Sequence, residues 1–250
     1  MMIMLLLPLT LPINSLIAKM VLFNKYSIQA RVFPAIITIL PAFIFSHFYL
    51  YGLIPKIIDS FSAQIISGVS ITAVFIYSVA QISRFISKKF LQDKLFLDEL
   101  YFPTVTYLLY FDNKYTIQWK EKIRKKIKVD FGRDLPTADE EKQDGTGTRR
   151  AIKEAVDLIR NKVKNGRLLL QHNIEYGFVR NLIGGMVISF PFSLFDSIFF
   201  ILQKNIIAAI ISILLFLVYS MILVNRKNIL IYYANNYATV LFNEYLFLND

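Results

Sequence analysis

The feature that most constrains this chain is a set of long stretches without a charged side chain. Residues 32–55, 61–83 and 205–225 contain no Lys, Arg, Asp or Glu. Each stretch is long enough to cross about 30 Å of hydrocarbon as a helix. The composition agrees, because 55% of the residues are hydrophobic, against about 45–50% in soluble domains. The sequence therefore predicts a membrane protein.

The charged residues are concentrated in the middle of the chain. Of the 28 Lys and Arg residues, 21 lie in residues 84–180, together with 14 of the 18 Asp and Glu residues. This segment carries +7 of the net charge of +10. We therefore expect a membrane α-helical protein in which four transmembrane helices, as two hairpins, flank a small cytosolic α/β lobe that is mainly helical.

Changes in composition divide the chain into five predicted segments. Residues 1–31 are predicted to lie on the membrane surface, because Pro8 and Pro12 interrupt their apolar run and no basic stretch precedes it. The first hairpin covers residues 32–83, the lobe 84–180 and the second hairpin 181–225. Residues 226–250 are predicted to form an amphipathic helix along the membrane or against a partner helix.

Four spans are predicted within the two hairpins, at residues 32–53, 63–82, 182–202 and 206–224. Pro41 is expected to kink the first span, since neighbouring helices can satisfy the carbonyl that proline leaves without a donor. An alternative for residues 181–204 is a re-entrant loop, because they contain Pro191 and Asp196. That alternative would place the C-terminus and Arg226 outside the cell.

The lobe shows one strand pattern and several helix patterns. Residues 104–111 are rich in β-branched and aromatic side chains and predict a strand. Helices are expected at 116–131, 149–164 and 168–181. Thr137 and Glu140 match a capping box.

Charge also predicts the orientation of the chain in the membrane. With the N-terminus inside, only Lys56 and Lys204 lie in the outer loops, so 26 of the 28 basic residues face the cytosol. The positive-inside rule thus favours a cytosolic lobe and two cytosolic termini.

Polar groups within the spans are the first candidate functional residues. Gln64, Ser67, Ser78 and Gln81 lie on one half of the second predicted span. Asp196 is the single charge within the third, and a carboxylate at the centre of a span normally faces a partner or water. These five side chains either line a pore or hold one helix against another.

Two basic sets are candidates for binding anions. The first is the helix at 116–131, and anionic lipid, a nucleotide or a nucleic acid would suit its charge. The second follows a glycine-rich turn and offers a phosphate the start of a helix, although a flexible loop with a helix cap explains the same pattern. The residues are Lys120, Lys122, Arg124, Lys125, Lys126 and Lys128 in the first set, and Arg149 and Arg150 in the second.

Several kinds of chemistry are not expected. The chain contains no cysteine, so it has no disulfide, thiolate nucleophile or cysteine zinc site. Its two histidines, His47 and His172, lie in different segments, and no catalytic set is evident. We therefore expect no enzymatic activity, no metal and no cofactor.

The plan of an apolar hairpin, a small basic lobe and a second hairpin resembles the small membrane effectors of bacterial anti-phage systems, including those paired with retrons or with cyclic-nucleotide signalling. The resemblance is one of architecture and assigns no functional residue. It implies a homo-oligomer that permeabilises or depolarises the bacterial inner membrane, controlled by its lobe through a cytosolic protein, a nucleotide or a nucleoprotein. The alternatives are a membrane anchor that recruits a soluble partner, and a small transporter or channel subunit.

Overall fold

The computed structural model describes residues 24–50 and 64–248, which are mostly helical and include no β-strand. Most of the surface segment predicted at 1–31 lies outside these residues. π-Helical turns occur at Ile28–Val32, Ser46–Leu50 and Ser87–Gln92. In chain order the helices are α1 (Lys25–Thr38), α2 (Leu40–Tyr49), α3 (Gln64–Ile86), α4 (Asp93–Phe96), α5 (Pro103–Thr106), α6 (Ile117–Phe131), α7 (Ala138–Gln143), α8 (Gly145–Lys162), α9 (Arg167–Leu202), α10 (Ile206–Val224) and α11 (Arg226–Phe247).

Helix α9 runs through both the lobe and the apolar part of the protein. Its 36 residues correspond to a length of about 54 Å. The two helices predicted at 168–181 and 182–202 are therefore one helix, and Pro191 lies within it. One helix therefore connects the lobe directly to the apolar part of the protein.

Small residues on α9 allow α1 and α3 to pack closely against it. A Cβ atom at Gly184 would overlap the carbonyl oxygen of Ser83 on α3, and one at Gly185 would overlap the side chain of Thr38 on α1. Helix packing in membranes uses small residues in this way, because little hydrophobic force draws spans together.

Polar side chains connect the same three helices. Asn181 of α9 donates to the carbonyl oxygen of Ala30 at 2.6 Å and accepts from the hydroxyl of Ser87 at 3.2 Å. Further along α9, Ser189 donates to the carbonyl oxygen of Thr38. The helices are thus held in register by hydrogen bonds as well as by close packing.

The first predicted span is bent, as its sequence predicted. Helices α1 and α2 meet at 45°, immediately before Pro41. Proline has no amide N–H, so it cannot donate to the carbonyl oxygen of Ile37 one turn earlier. The hydroxyl of Tyr219 on α10 donates to that oxygen at 2.8 Å.

Two helices are candidate membrane spans, or three if α1 and α2 form one span. Helices α9 and α10 are each long and apolar enough to cross a membrane, and α1 with α2 passes the same test as a bent pair. A crossing by α3, which would make four spans, is part of the proposal made below.

The lobe and the C-terminal helix share one hydrophobic core. Ile123 and Ile127 of α6, Ile152 of α8, and Leu241 and Phe242 of α11 are all completely buried in it. Helix α11 therefore packs against the lobe and the first half of α9, rather than lying free along the membrane surface.

The strand predicted at residues 104–111 is wrong. This segment forms α5 and a series of tight turns, and its backbone groups are satisfied by charged side chains instead of a neighbouring strand. The buried carboxylate of Glu141 accepts from the amides of Tyr110, at 2.8 Å, and Phe111, at 3.4 Å. The described lobe is therefore helical, not α/β.

Helix ends in the lobe follow their sequence signals. The hydroxyl of Thr116 accepts from the amide of Trp119 at the start of α6, and Gly132 ends the helix with φ of 63°. The capping box of Thr137 and Glu140 is confirmed at the start of α7.

We predict that Tyr219→Phe destabilises the protein in mild detergent. The variant removes the hydrogen bond to Ile37, and interhelical hydrogen bonds in membranes contribute about 0.5–2 kcal/mol. The measurement is the melting temperature, which we expect to fall by roughly 1–8 °C. Tyr232→Phe, at an exposed position, is the matched control.

A second background tests the cause of that loss. In Pro41→Ala the backbone regains an amide donor for Ile37, so Tyr219→Phe should then lower the melting temperature by less. An equal loss in both backgrounds would contradict the role given to Tyr219.

Candidate functional site

The candidate site is Asp196, in the hairpin formed by α9 and α10. Asp196 has no exposed surface, and neither of its carboxylate oxygens has a hydrogen-bond partner among the residues that the structure describes. Asp196 lies eight residues before Lys204, which is in the turn, and Ser212 lies eight residues after Lys204. In an antiparallel hairpin, Asp196 and Ser212 are thus at the same level, about 12 Å from the turn.

None of the three serine hydroxyls near Asp196 in the hairpin donates to its carboxylate in the described structure. Ser193 donates to the carbonyl oxygen of Phe190 at 2.8 Å, and Ser197 donates to that of Ser193 at 2.7 Å. Within residues 24–50 and 64–248, the buried hydroxyl of Ser212 has no partner, like the carboxylate itself. The hairpin therefore encloses polar groups that it does not satisfy.

A small apolar cluster closes the hairpin between this level and the turn. It contains Phe200 of α9, Ala208 and Ala209 of α10, and Ile44 of α2. A charged carboxylate at the centre of a span raises the free energy by about 2.5–3.5 kcal/mol on insertion scales. The hairpin thus buries an acidic side chain away from water, which is energetically unfavourable.

The polar stripe predicted on α3 is described only in part. The side chains of Gln64 and Ser67 lie outside the described part of the structure. Ser78 is exposed and donates to the carbonyl oxygen of Val74 within its own helix. Gln81 is half-buried in a groove between α1 and α3. Neither Ser78 nor Gln81 forms a hydrogen bond with Asp196.

Two of the six basic residues predicted to bind anions on α6 point into the lobe. Lys120 is 1% exposed, and its ammonium group donates to the carbonyl oxygens of Leu109 and Asp112. Burial lowers the pKa of Lys120 below its usual value. Its role is to hold the turns of residues 107–112, not to bind a ligand at the surface.

Arg124 has a similar internal role. Its guanidinium donates to the carbonyl oxygens of Leu108, at 2.8 Å, and Pro136, at 2.6 Å. It also lies over the ring of Tyr110, at 4.1 Å from the centroid. Arg124 therefore joins α6 to the same turns as Lys120.

The other four basic residues of α6 are at or near the surface. Lys126 donates to the carbonyl oxygen of Leu248 at 3.1 Å, and Lys128 pairs with Asp134 at 2.9 Å. Lys122 and Lys125 are exposed, and neither forms an ion pair with a described residue. These two remain as candidate surface cations.

The start of α8 offers little room for a phosphate. The carboxylate of Asp144 accepts from the amide of Gly147 at 2.8 Å, in the place where a phosphate would bind. Arg149 donates to the carbonyl oxygen of Leu100 at 3.1 Å and stacks on Tyr101, while Arg150 is exposed. The geometry therefore favours a capped helix over an anion site.

One feature escaped the sequence analysis, a strained turn between α4 and α5. Leu97, Asp98 and Glu99 have φ values of 41°, 55° and 71°. Three consecutive non-glycine residues in this region store strain, at about 1–3 kcal/mol each. No glycine or other sequence signal marks the turn.

An ion pair holds the strained turn against the lobe. Glu99 accepts from Arg160 of α8 at 2.9 Å and from Gln92 at 3.3 Å. Arg180 of α9 donates to the same Gln92 at 2.8 Å. We call Glu99, Arg160, Gln92 and Arg180 the latch, since they connect α8 and α9 to the segment that follows α3.

We predict that Lys120→Met destabilises the protein, although the adjacent Lys122→Met does not. Losing the ammonium group leaves buried carbonyl oxygens without donors, which raises the free energy by about 1–3 kcal/mol. Lys122 is exposed, and such substitutions change stability by less than about 0.5 kcal/mol. Melting temperatures of the two variants provide the comparison, and equal values would show that Lys120 is not structural.

Comparison of the chain with protein-family models, curated proteins and solved structures finds no match. The roles assigned to Asp196, the latch and the basic residues therefore come from the chain's own geometry.

Proposed function

We propose that the protein is a non-enzymatic effector of the bacterial inner membrane, which oligomerises and depolarises that membrane under the control of its lobe. In this proposal α1 with α2, α3, α9 and α10 make four crossings, with both termini and the lobe in the cytosol. The basic charge of the lobe supports that orientation.

The observation that carries the proposal is the buried carboxylate of Asp196, which has no partner in the described part of the chain. An anchor has no need of a carboxylate inside its spans, because an apolar side chain would be more stable there. A conducting path does need polar groups at this depth. We interpret the described arrangement as a closed state in which Asp196 is kept from water.

A change in the lobe can reach Asp196 through one helix. The latch residue Arg180 and the carboxylate of Asp196 are both on α9, 16 residues apart, or about 24 Å. The strained turn at Leu97–Glu99 supplies an element that would relax if the Glu99–Arg160 ion pair were broken. We therefore infer that breaking the latch favours the conducting state.

The conducting unit is expected to be a homo-oligomer. Four helices enclose little water, so Asp196 must border a path shared by several copies. In the lobe, a cytosolic protein, a nucleotide or a nucleoprotein would supply the trigger. In a cell, the outcome would be loss of membrane potential and growth arrest, the outcome expected of an anti-phage effector.

We predict that Glu99→Gln depolarises cells without a trigger. The substitution keeps the side-chain size but removes the negative charge of the strained turn, so Arg160 keeps only its ion pair with Asp157. Adding Asp196→Leu should restore the membrane potential, because it removes the polar group from the path. Membrane potential is measured with a voltage-sensitive dye during induced expression, and growth is followed in parallel.

Arg133→Gln is the matched control, since it breaks an exposed ion pair with Glu154 in the same lobe. It should behave as the wild-type protein. A stable, folded Glu99→Gln variant that leaves the membrane potential intact without a trigger, and that is monomeric in mild detergent, would contradict the proposal.

A second candidate function is a membrane anchor that recruits a soluble protein. It is favoured by the surface of α6, where Val129 is 72% exposed beside the free cations Lys122 and Lys125. An acidic protein with an apolar contact would suit this surface. The anchor predicts an intact membrane potential for all three variants, so the same measurement separates the two functions.

A further inference from the structure

Two grooves lie side by side where α1 and α3 approach the lobe. One, between α1 and α3, has a volume of about 170 Å³ and is lined by Arg31, Tyr77, Gln81 and Arg84. The other, of about 360 Å³, shares Gln81 and Arg84 and continues past Lys88. The shared residues make the two grooves one extended surface.

The charge of this surface is strongly positive. Arg31, Arg84, Lys88 and Lys89 border it, against the single carboxylate of Asp93. None of the four cations forms an ion pair with a carboxylate in the described parts of the chain. Arg31 and Lys89 instead lie near the rings of Tyr26 and Phe85, contacts that leave their charges without counter-ions.

The residues of α3 in this surface form a stripe that changes from apolar to basic. Tyr77, Gln81 and Arg84 recur at helical spacing, so they share one face of α3, and Lys88 follows in the π-helical turn Ser87–Gln92. Beside them Phe85 is 58% exposed, and Ile82 and Val74 are exposed as well. The exposed apolar face suits the acyl chains of a phospholipid, and the basic groove in which it ends suits the phosphate.

We propose that this surface binds an anionic phospholipid, with its phosphate between Arg31 and Arg84 and its acyl chains along the exposed apolar face of α3. Juxtamembrane Lys and Arg side chains attract anionic headgroups in this way. Gln81 lines both grooves together with Arg84, and in this proposal its amide binds a glycerol hydroxyl.

This site differs from the basic helix that the sequence suggested. Lys120 and Arg124 of α6 donate inside the lobe, whereas Arg31 and Arg84 lie beside exposed apolar residues of α3. A soluble phosphate compound has no acyl chains that would contact that apolar surface. The continuity of charge and apolar area therefore favours a lipid, and the site does not depend on whether the protein conducts ions.

The test uses the full-length protein, purified in mild detergent and exposed to equal amounts of phosphatidylglycerol and phosphatidylcholine. Native mass spectrometry counts the lipid molecules retained. We expect wild-type protein to prefer phosphatidylglycerol, and Arg31→Gln/Arg84→Gln to lose about 30-fold of that preference, roughly fivefold for each cation. If this variant does not fold, Lys88→Gln/Lys89→Gln at exposed positions replaces it, with the same expected loss.

Lys122→Gln/Lys125→Gln is the matched control, since it removes the same charge from α6 and should keep the preference. Loss in this control, or retention of the preference in the groove variants, would overturn the proposed site. Equal retention of both lipids by the wild-type protein would also overturn it. So would displacement of phosphatidylglycerol by ATP or by glycerol phosphate, which would identify a soluble phosphate ligand instead.

Discussion

The close packing of α1 and α3 against the small-residue face of α9 is the constraint on which the rest of the structure depends. Gly184 and Gly185 leave no room for a Cβ atom against Ser83 and Thr38, and Asn181 bonds to the backbone of α1 at the same level. Because α9 also contributes to the lobe core, one continuous helix connects the lobe to the spans. Both the proposed coupling to Asp196 and the proposed lipid site between α1 and α3 depend on that arrangement.

Charged residues inside the lobe explain the largest error in the sequence analysis. Residues 104–111 have the composition of a strand, but Lys120, Arg124 and Glu141 supply the hydrogen bonds that a neighbouring strand would make. A sequence shows that α6 is basic, but not which of its cations point inwards. The same limit applies to the anion site, because two of its predicted ligands have structural roles.

Features with a strong local cause were predictable. The uncharged stretches at 32–55 and 205–225 indicated candidate spans, Pro41 indicated a bend, and the pattern of residues 116–131 indicated α6. Features that depend on distant partners were not. The left-handed turn at Leu97–Glu99 contains no glycine, and the lack of a partner for Asp196 depends on how α10 packs. Even the donor that Tyr219 provides beside Pro41 comes from a helix 178 residues later in the chain.

The most direct test of the account is the sidedness of the α9–α10 hairpin. The chain has no cysteine, so Gln203→Cys in the hairpin turn and Asn243→Cys on α11, both at exposed positions, are unique labels. A membrane-impermeant maleimide should label Gln203→Cys from outside the inner membrane, and Asn243→Cys only in inverted vesicles. Labelling of both cysteines from the same side would contradict a hairpin that crosses the membrane below a cytosolic lobe.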